Sequence, residues 1–169
     1  YLGLSLPPHV ANESYMEEFW ESNSHFNIPR EHYILESFNP RDLFSNRSQI
    51  LQIMYDINKA HSPDLVFVTN SKDVHQSHQC AHSEAVRVFK NSTILGYELP
   101  WNSIEFNMDV FVTLGAEDVE VKQRAINAFK SQFNRAFFSN DILSSLAEVR
   151  GKQVGREFAE CFELVRMVC

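Results

Sequence analysis

The chain has 169 residues, 44% of them hydrophobic, and a formal net charge of −7. That length carries one domain with a full core, and the interspersed acids and bases argue against a nucleic-acid binder, which would show a basic stripe. No apolar run is long enough to span a bilayer and no signal peptide is read; Cys80, Cys161 and Cys169, an odd count without CxxC spacing, argue against a disulfide framework or a cysteine zinc site and for a reducing, cytoplasmic setting. In chain order, Tyr1 to Ser5 reads as the end of a strand, begun abruptly in apolar sequence and broken by Leu6-Pro7-Pro8. Asn12 to Phe26 reads as a helix capped by Asn12, with acids in its first turns and Tyr15, Met16, Phe19 and Trp20 on one face. His32 to Phe38 is a short strand. Ser45 caps a helix over Asn46 to Ala60, whose Ile50, Leu51, Met54 and Ile57 have helical spacing.

Asp64 to Thr69 (DLVFVT) is a short apolar, β-branched run behind a proline, the pattern of a fully covered parallel strand. A polar loop and a helix holding His75, His78 and His82 follow. Ser92 to Leu99 is a strand stopped by Pro100-Trp101-Asn102. Glu105 to Leu114 alternates at Phe106, Met108, Val110 and Val112, which predicts an edge strand with one wet face. Helices are expected over Glu117 to Phe133 and, after Ser139-Asn140-Asp141, over Ile142 to Arg150 with Gly151 as the stop. Phe158 to Val168 is a last strand. The alternation of strand and helix predicts an α/β fold with a parallel sheet and right-handed crossovers, and the lack of repeats or linkers predicts a single domain over 1–169.

The only concentration of metal-capable side chains is Asp73, His75, His78 and His82, just past the end of a strand, where open α/β sheets place ligands. Residues three apart at a helix start share a face. A neutral imidazole there suits zinc, and a second histidine can steady an oxyanion or protonate a leaving amine. Asp73 is placed to orient a ring. Solvated histidines on a polar helix start are the plain alternative, and His82 is expected to hydrogen-bond locally. His9, His32 and His61 are isolated. No GxGxxG turn supports a nucleotide site.

Pro63 to Phe89 (PDLVFVTNSKDVHQSHQCAHSEAVRVF), Ser92 to Asn102 (STILGYELPWN), Arg47-Ser48-Gln49-Ile50-Leu51, and the closing Phe137-Phe138-Ser139, Arg150-Gly151, Gly155 and Phe158-Ala159-Glu160-Cys161-Phe162-Glu163 resemble the PIG-L/LmbE-like family of zinc-dependent de-N-acetylases. The resemblance implies a Rossmann-like three-layer α/β sandwich with a mostly parallel sheet and an antiparallel edge. It implies removal of acetyl from an N-acetylglucosaminyl or related small amide. His78 would be a zinc ligand, His75 the oxyanion or leaving-group histidine, and Asp73 a neighbour in the same loop; Trp101 would line a sugar site and Arg41 and Arg47 would meet an anionic substrate group, against packing or solvation, and Arg150 and Glu160 would pair near the site, against a structural salt bridge. The family's remaining ligands and general base lie on an Ala-His-Pro-Asp-Asp-Glu segment after the first strand, which this chain does not contain. The implied chain therefore lacks the first strand and helix, and its zinc site is incomplete. Ser77 stands where the family has an acid. The alternative is a truncated or degenerate member acting as a binding protein.

Overall fold

The computed structural model describes residues 3–5, 13–134 and 141–169. The Leu6-Pro7-Pro8 break, the Asn12 cap, His9 and the readings at Phe137-Phe138-Ser139 and Asn140 lie outside the described residues. The elements run β1 (Gly3–Ser5), α1 (Glu13–Ser24), β2 (Tyr33–Leu35), α2 (Arg47–His61), β3 (Leu65–Thr69), α3 (Gln76–Val88), β4 (Thr93–Tyr97), β5 (Val110–Leu114), α4 (Ala116–Asn127), α5 (Ile142–Gln153) and β6 (Phe158–Arg166). The α/β class read from the sequence is the one observed. β1 pairs with β2 in parallel, as does β3 with β4, while β4 and β6 are antiparallel. The four-stranded sheet has the order β3-β4-β6-β5. Two compact units can be told apart, residues 1–38 with 112–160 and residues 39–111 with 161–169.

In the first unit, the apolar stripe of α1 does what its spacing predicts. Phe19 is buried and meets Trp20 and Tyr33 edge-on, and Tyr15 packs on Phe129. Burying aromatic rings in edge contacts stabilises beyond the area removed from water. Glu18, buried on the same helix, accepts the Ser131 backbone N–H at 2.9 Å and its hydroxyl at 2.5 Å. The predicted stop at Gly151 is corrected. α5 continues to Gln153, and the glycine that ends it is Gly155, at φ +69°. Gly155 N–H bonds the Lys152 carbonyl and Arg156 N–H the Gly151 carbonyl, the paired bonds of a left-handed helix stop. Gly151 is needed for a different reason: a Cβ there would lie 2.5 Å from the Glu157 carbonyl oxygen.

In the second unit, α2 packs on α3 and α3 on β3, and the two helices bury Ile50, Met54, Cys80 and Ala85. Asn46 rather than Ser45 holds the cap position of α2; its amide bonds back to the Asp42 carbonyl. Ser62, at φ +42°, ends α2 before Pro63. β3 is not fully covered. It lies at one edge of the sheet, so only Val68 and Thr69 at its C-terminal end are buried, while Leu65 and Phe67 are about half exposed. β5 occupies the other edge, as its alternation predicts, but begins only at Val110. Asp109 donates its N–H to Phe162 and accepts the Leu164 N–H on its carboxylate, and this starts the pairing.

Candidate functional site

The C-terminal end of β3 delivers the chain into a loop that is heavily bonded to itself. Asn70, buried, accepts the Lys72 N–H on Oδ1, and its amide donates to Ser103 Oγ at 2.8 Å and to the Tyr97 carbonyl at 3.3 Å. The Val74 N–H reaches the Asn102 carbonyl at 2.9 Å, and Asp73 bridges to Ser103. This side-chain turn chemistry, which asparagine supplies readily, fixes where residues 70–75 lie.

Asp73 is the hub. Its side chain is fully buried, and its two oxygens divide their work: Oδ1 accepts the His75 backbone N–H at 2.8 Å, and Oδ2 lies 2.7 Å from His78 Nδ1. A carboxylate accepts, so Nδ1 of His78 carries the proton and Nε2 keeps its lone pair. His75 occupies the cap position of α3 with no side-chain cap bond of its own. In its place Asp73 supplies a negative charge at the helix start, where charge of that sign is favoured. The His75 and His78 ring centroids lie 4.6 Å apart. Loss of solvent and, next, the neighbouring His78 hold the His75 imidazolium below its ordinary range, with Asp73 pulling the other way. His75 is therefore mainly a neutral donor–acceptor at pH 7, not a standing cation.

His82, one turn along, points its Nδ1 at the Thr69 carbonyl at 2.7 Å, the local bond expected of it. Thr69 Oγ1 donates to the His78 carbonyl, fastening α3 to the strand end. Burial, then Glu84, push the Cys80 thiol up, and its Sγ faces the Leu43 carbonyl. That agrees with an inert, packed cysteine.

Of the predicted site residues, Asp73, His75 and His78 come together. Trp101 sits in the turn whose Asn102 carbonyl receives the Val74 N–H, so it flanks the same loop, 37% exposed. Arg47 is set to another task. Its Nε ion-pairs with Glu84, a fully buried carboxylate that also takes Arg87 at 2.8 Å. Arg150 bonds Gln153, and Glu160 ion-pairs with Lys122. Sequence reasoning gave the buried acids Glu84 and Glu163 no role of their own. Glu84 carried one faint signal, Arg87 three residues on; Glu163 reaches a partner 92 residues away.

The implied zinc can be tested against these donors. His78 Nδ1 is committed to Asp73, leaving one nitrogen, and among the described residues no three His, Cys, Asp or Glu side chains gather as a metal-holding group. A catalytic zinc takes three protein ligands, so the described donors do not make one. Ser77, the residue before His78, carries no charge; the negative charge beside the His78 ring comes from Asp73, five residues before it.

No protein-family model matches the sequence, and no curated protein matches it significantly. Among solved structures, the conserved protein TT1542 of Thermus thermophilus superposes with a TM-score of 0.79 at 17% identity, over 98% of this chain and 81% of that one. The zinc-inhibited form of the teicoplanin deacetylase Orf2 follows with a TM-score of 0.67 at 13% identity, over 88% of this chain and 72% of that one. A triple mutant deacetylase of the teicoplanin biosynthetic pathway gives 0.66 at 18%, over 90% of this chain and 70% of that one. The chain thus has a deacetylase-like α/β fold.

Proposed function

We propose that this chain carries the histidine half of an amide-hydrolase centre that removes acetyl from a small N-acetylated sugar or related amide. The observation that carries the reading is the Asp73–His78–His75 arrangement at the C-terminal end of β3: a buried carboxylate fixing one imidazole, with a second imidazole packed beside it. The fold shared with a teicoplanin deacetylase supports the reaction class. In this reading Asp73 sets the tautomer of His78 and leaves Nε2 as a donor atom toward zinc, with further ligands needed beyond the described set. Water attacks the acyl carbon while His75 donates an N–H to the acyl oxygen as negative charge builds there; the proton that the amine nitrogen takes up as the C–N bond breaks is the one released by that water, carried by a base that the described residues do not supply. Trp101 supplies a face for a sugar ring. Three cysteines, Cys80, Cys161 and Cys169, without CxxC spacing suit a reducing compartment such as the cytoplasm, and no described helix is long and apolar enough to cross a membrane.

The test is acetate release from N-acetylglucosaminyl amides by the protein with added zinc. His75→Ala is expected to slow turnover about 10²–10⁴-fold; turnover equal to the unaltered protein rejects its role. A second reading, a non-catalytic sugar-binding descendant, is favoured by the absence of a three-ligand group among the described residues. Saturable sugar binding without any acetate release would establish that reading instead.

A further inference from the structure

Glu163 lies on β6 opposite Gly96 of β4, and Gly96 in turn pairs with Val68 of β3. The side chain of Glu163 crosses over β4 at this point. Gly96 makes the crossing possible: a Cβ there would stand 3.0 Å from Glu163 Oε2 and 2.9 Å from Asn70 Cα. On the far side the carboxylate meets Ser71, accepting its backbone N–H on Oε2 at 2.7 Å and its hydroxyl on Oε1 at 2.5 Å. Glu163 is 7% exposed, and no ion pair to it occurs among the described residues. A buried carboxylate held by hydrogen bonds without a countercharge is costly, and its cost is met only while both donors stay in place.

Ser71 is the second residue of the turn from Asn70 to Asp73, whose N–H bonds the Asn70 carbonyl and whose carboxylate fixes His75 and His78. We infer that Glu163 is a positioning residue for the Asp73–His78 pair, acting through Ser71 across β4. The same two-bond clamp recurs where Glu18 holds the N–H and hydroxyl of Ser131, in the other compact unit and on a turn with no histidine. That second clamp argues against Ser71 being a nucleophile paired with Glu163, and it supplies an internal control.

The inference rests on reading Asp73–His78 as the working pair, but its test does not depend on turnover. Histidine side-chain ¹H–¹⁵N correlation spectra, recorded at a pH where imidazoles are neutral, report which ring nitrogen of His78 carries the proton. The Asp73 bond predicts Nδ1 in the unaltered chain. Glu163→Gln is expected to lose that signature in favour of the Nε2-protonated or averaged form. Glu18→Gln should lower thermal stability and leave His78 unchanged. Ser71→Thr keeps both donors and should keep the signature; Ser71→Ala removes the hydroxyl bond and, since Ser71 is exposed, carries the test if Glu163→Gln does not fold. An unchanged His78 tautomer in folded Glu163→Gln or Ser71→Ala overturns the inference, whatever the protein hydrolyses. Absence of hydrolysis with the His78 response intact overturns the proposed function and leaves the clamp standing.

Discussion

His75 owes its chemistry to three influences that do not all act in one direction. Partial loss of water and the adjacent His78 disfavour its charged form, and Asp73 favours it. The net effect is downward, so in the folded state it takes up a proton at lower pH than in the unfolded chain. Unfolding then binds protons in the window from 6.5 down to the folded value, and stability should fall as pH drops through that window. His75 is exposed, so solvent screens the effect and the slope is shallow. An NMR titration is expected to place the His75 midpoint below 6.5, and replacing His78 by Asn should move it upward. A midpoint above 6.5 in the unaltered chain would show that Asp73 dominates after all and would return His75 to a cationic role. The Asp73, His75, His78 cluster was legible because histidines after a strand end are conspicuous and their spacing is local. The division of labour was not, since it depends on which oxygen of Asp73 faces which partner.

Long-range acids explain most of what the sequence hid about the helices and loops. Glu84 looks like any helical glutamate, yet it is fully buried between Arg47 of α2 and Arg87. Arg47→Gln strips one cation from that carboxylate and should cost about 1–3 kcal/mol, read as a lowered Tm, with KM for an amide substrate unaltered. An unchanged Tm with a raised KM would instead return Arg47 to the substrate. Periodicity placed α1 and α2 within two residues because their buried faces repeat locally, and it overran α4, expected to reach Phe133 but ending at Asn127. It failed at Gly151, since a glycine demanded by a backbone approach reads the same as one demanded by a helix stop. Gly151→Ala gains about 1 kcal/mol of helix propensity. It also drives a Cβ to 2.5 Å from the Glu157 carbonyl, backbone that no rotamer change can move aside. Overpacking of that kind costs about 1–3 kcal/mol or more. Gly155→Ala meets no atom within 4 Å and bears only the left-handed φ penalty. Urea midpoints should therefore fall further for Gly151→Ala than for Gly155→Ala, and the reverse order would mean that Glu157 and Phe158 yield freely.

The α/β order, the edge position of β5 and the placement of ligand-competent side chains at a strand end followed from periodicity, while the edge position of β3 did not, because its apolar run reads the same at an edge as in the middle. The decisive question for the chain as a metalloprotein is arithmetic in ligands. One imidazole nitrogen is free to bind at His78, and among the described residues no group of three possible ligands gathers. A net charge of −7 will nevertheless attract divalent cations weakly. The two kinds of uptake differ in their response to salt, since surface attraction is screened within a Debye length and coordination is not. Equilibrium dialysis of the 169-residue chain at micromolar zinc should show weak uptake that vanishes at raised salt and is indifferent to His78→Ala. One-to-one zinc that survives salt and disappears with His78→Ala would mean that two more ligands reach Nε2 of His78. In that case the chain holds the complete centre.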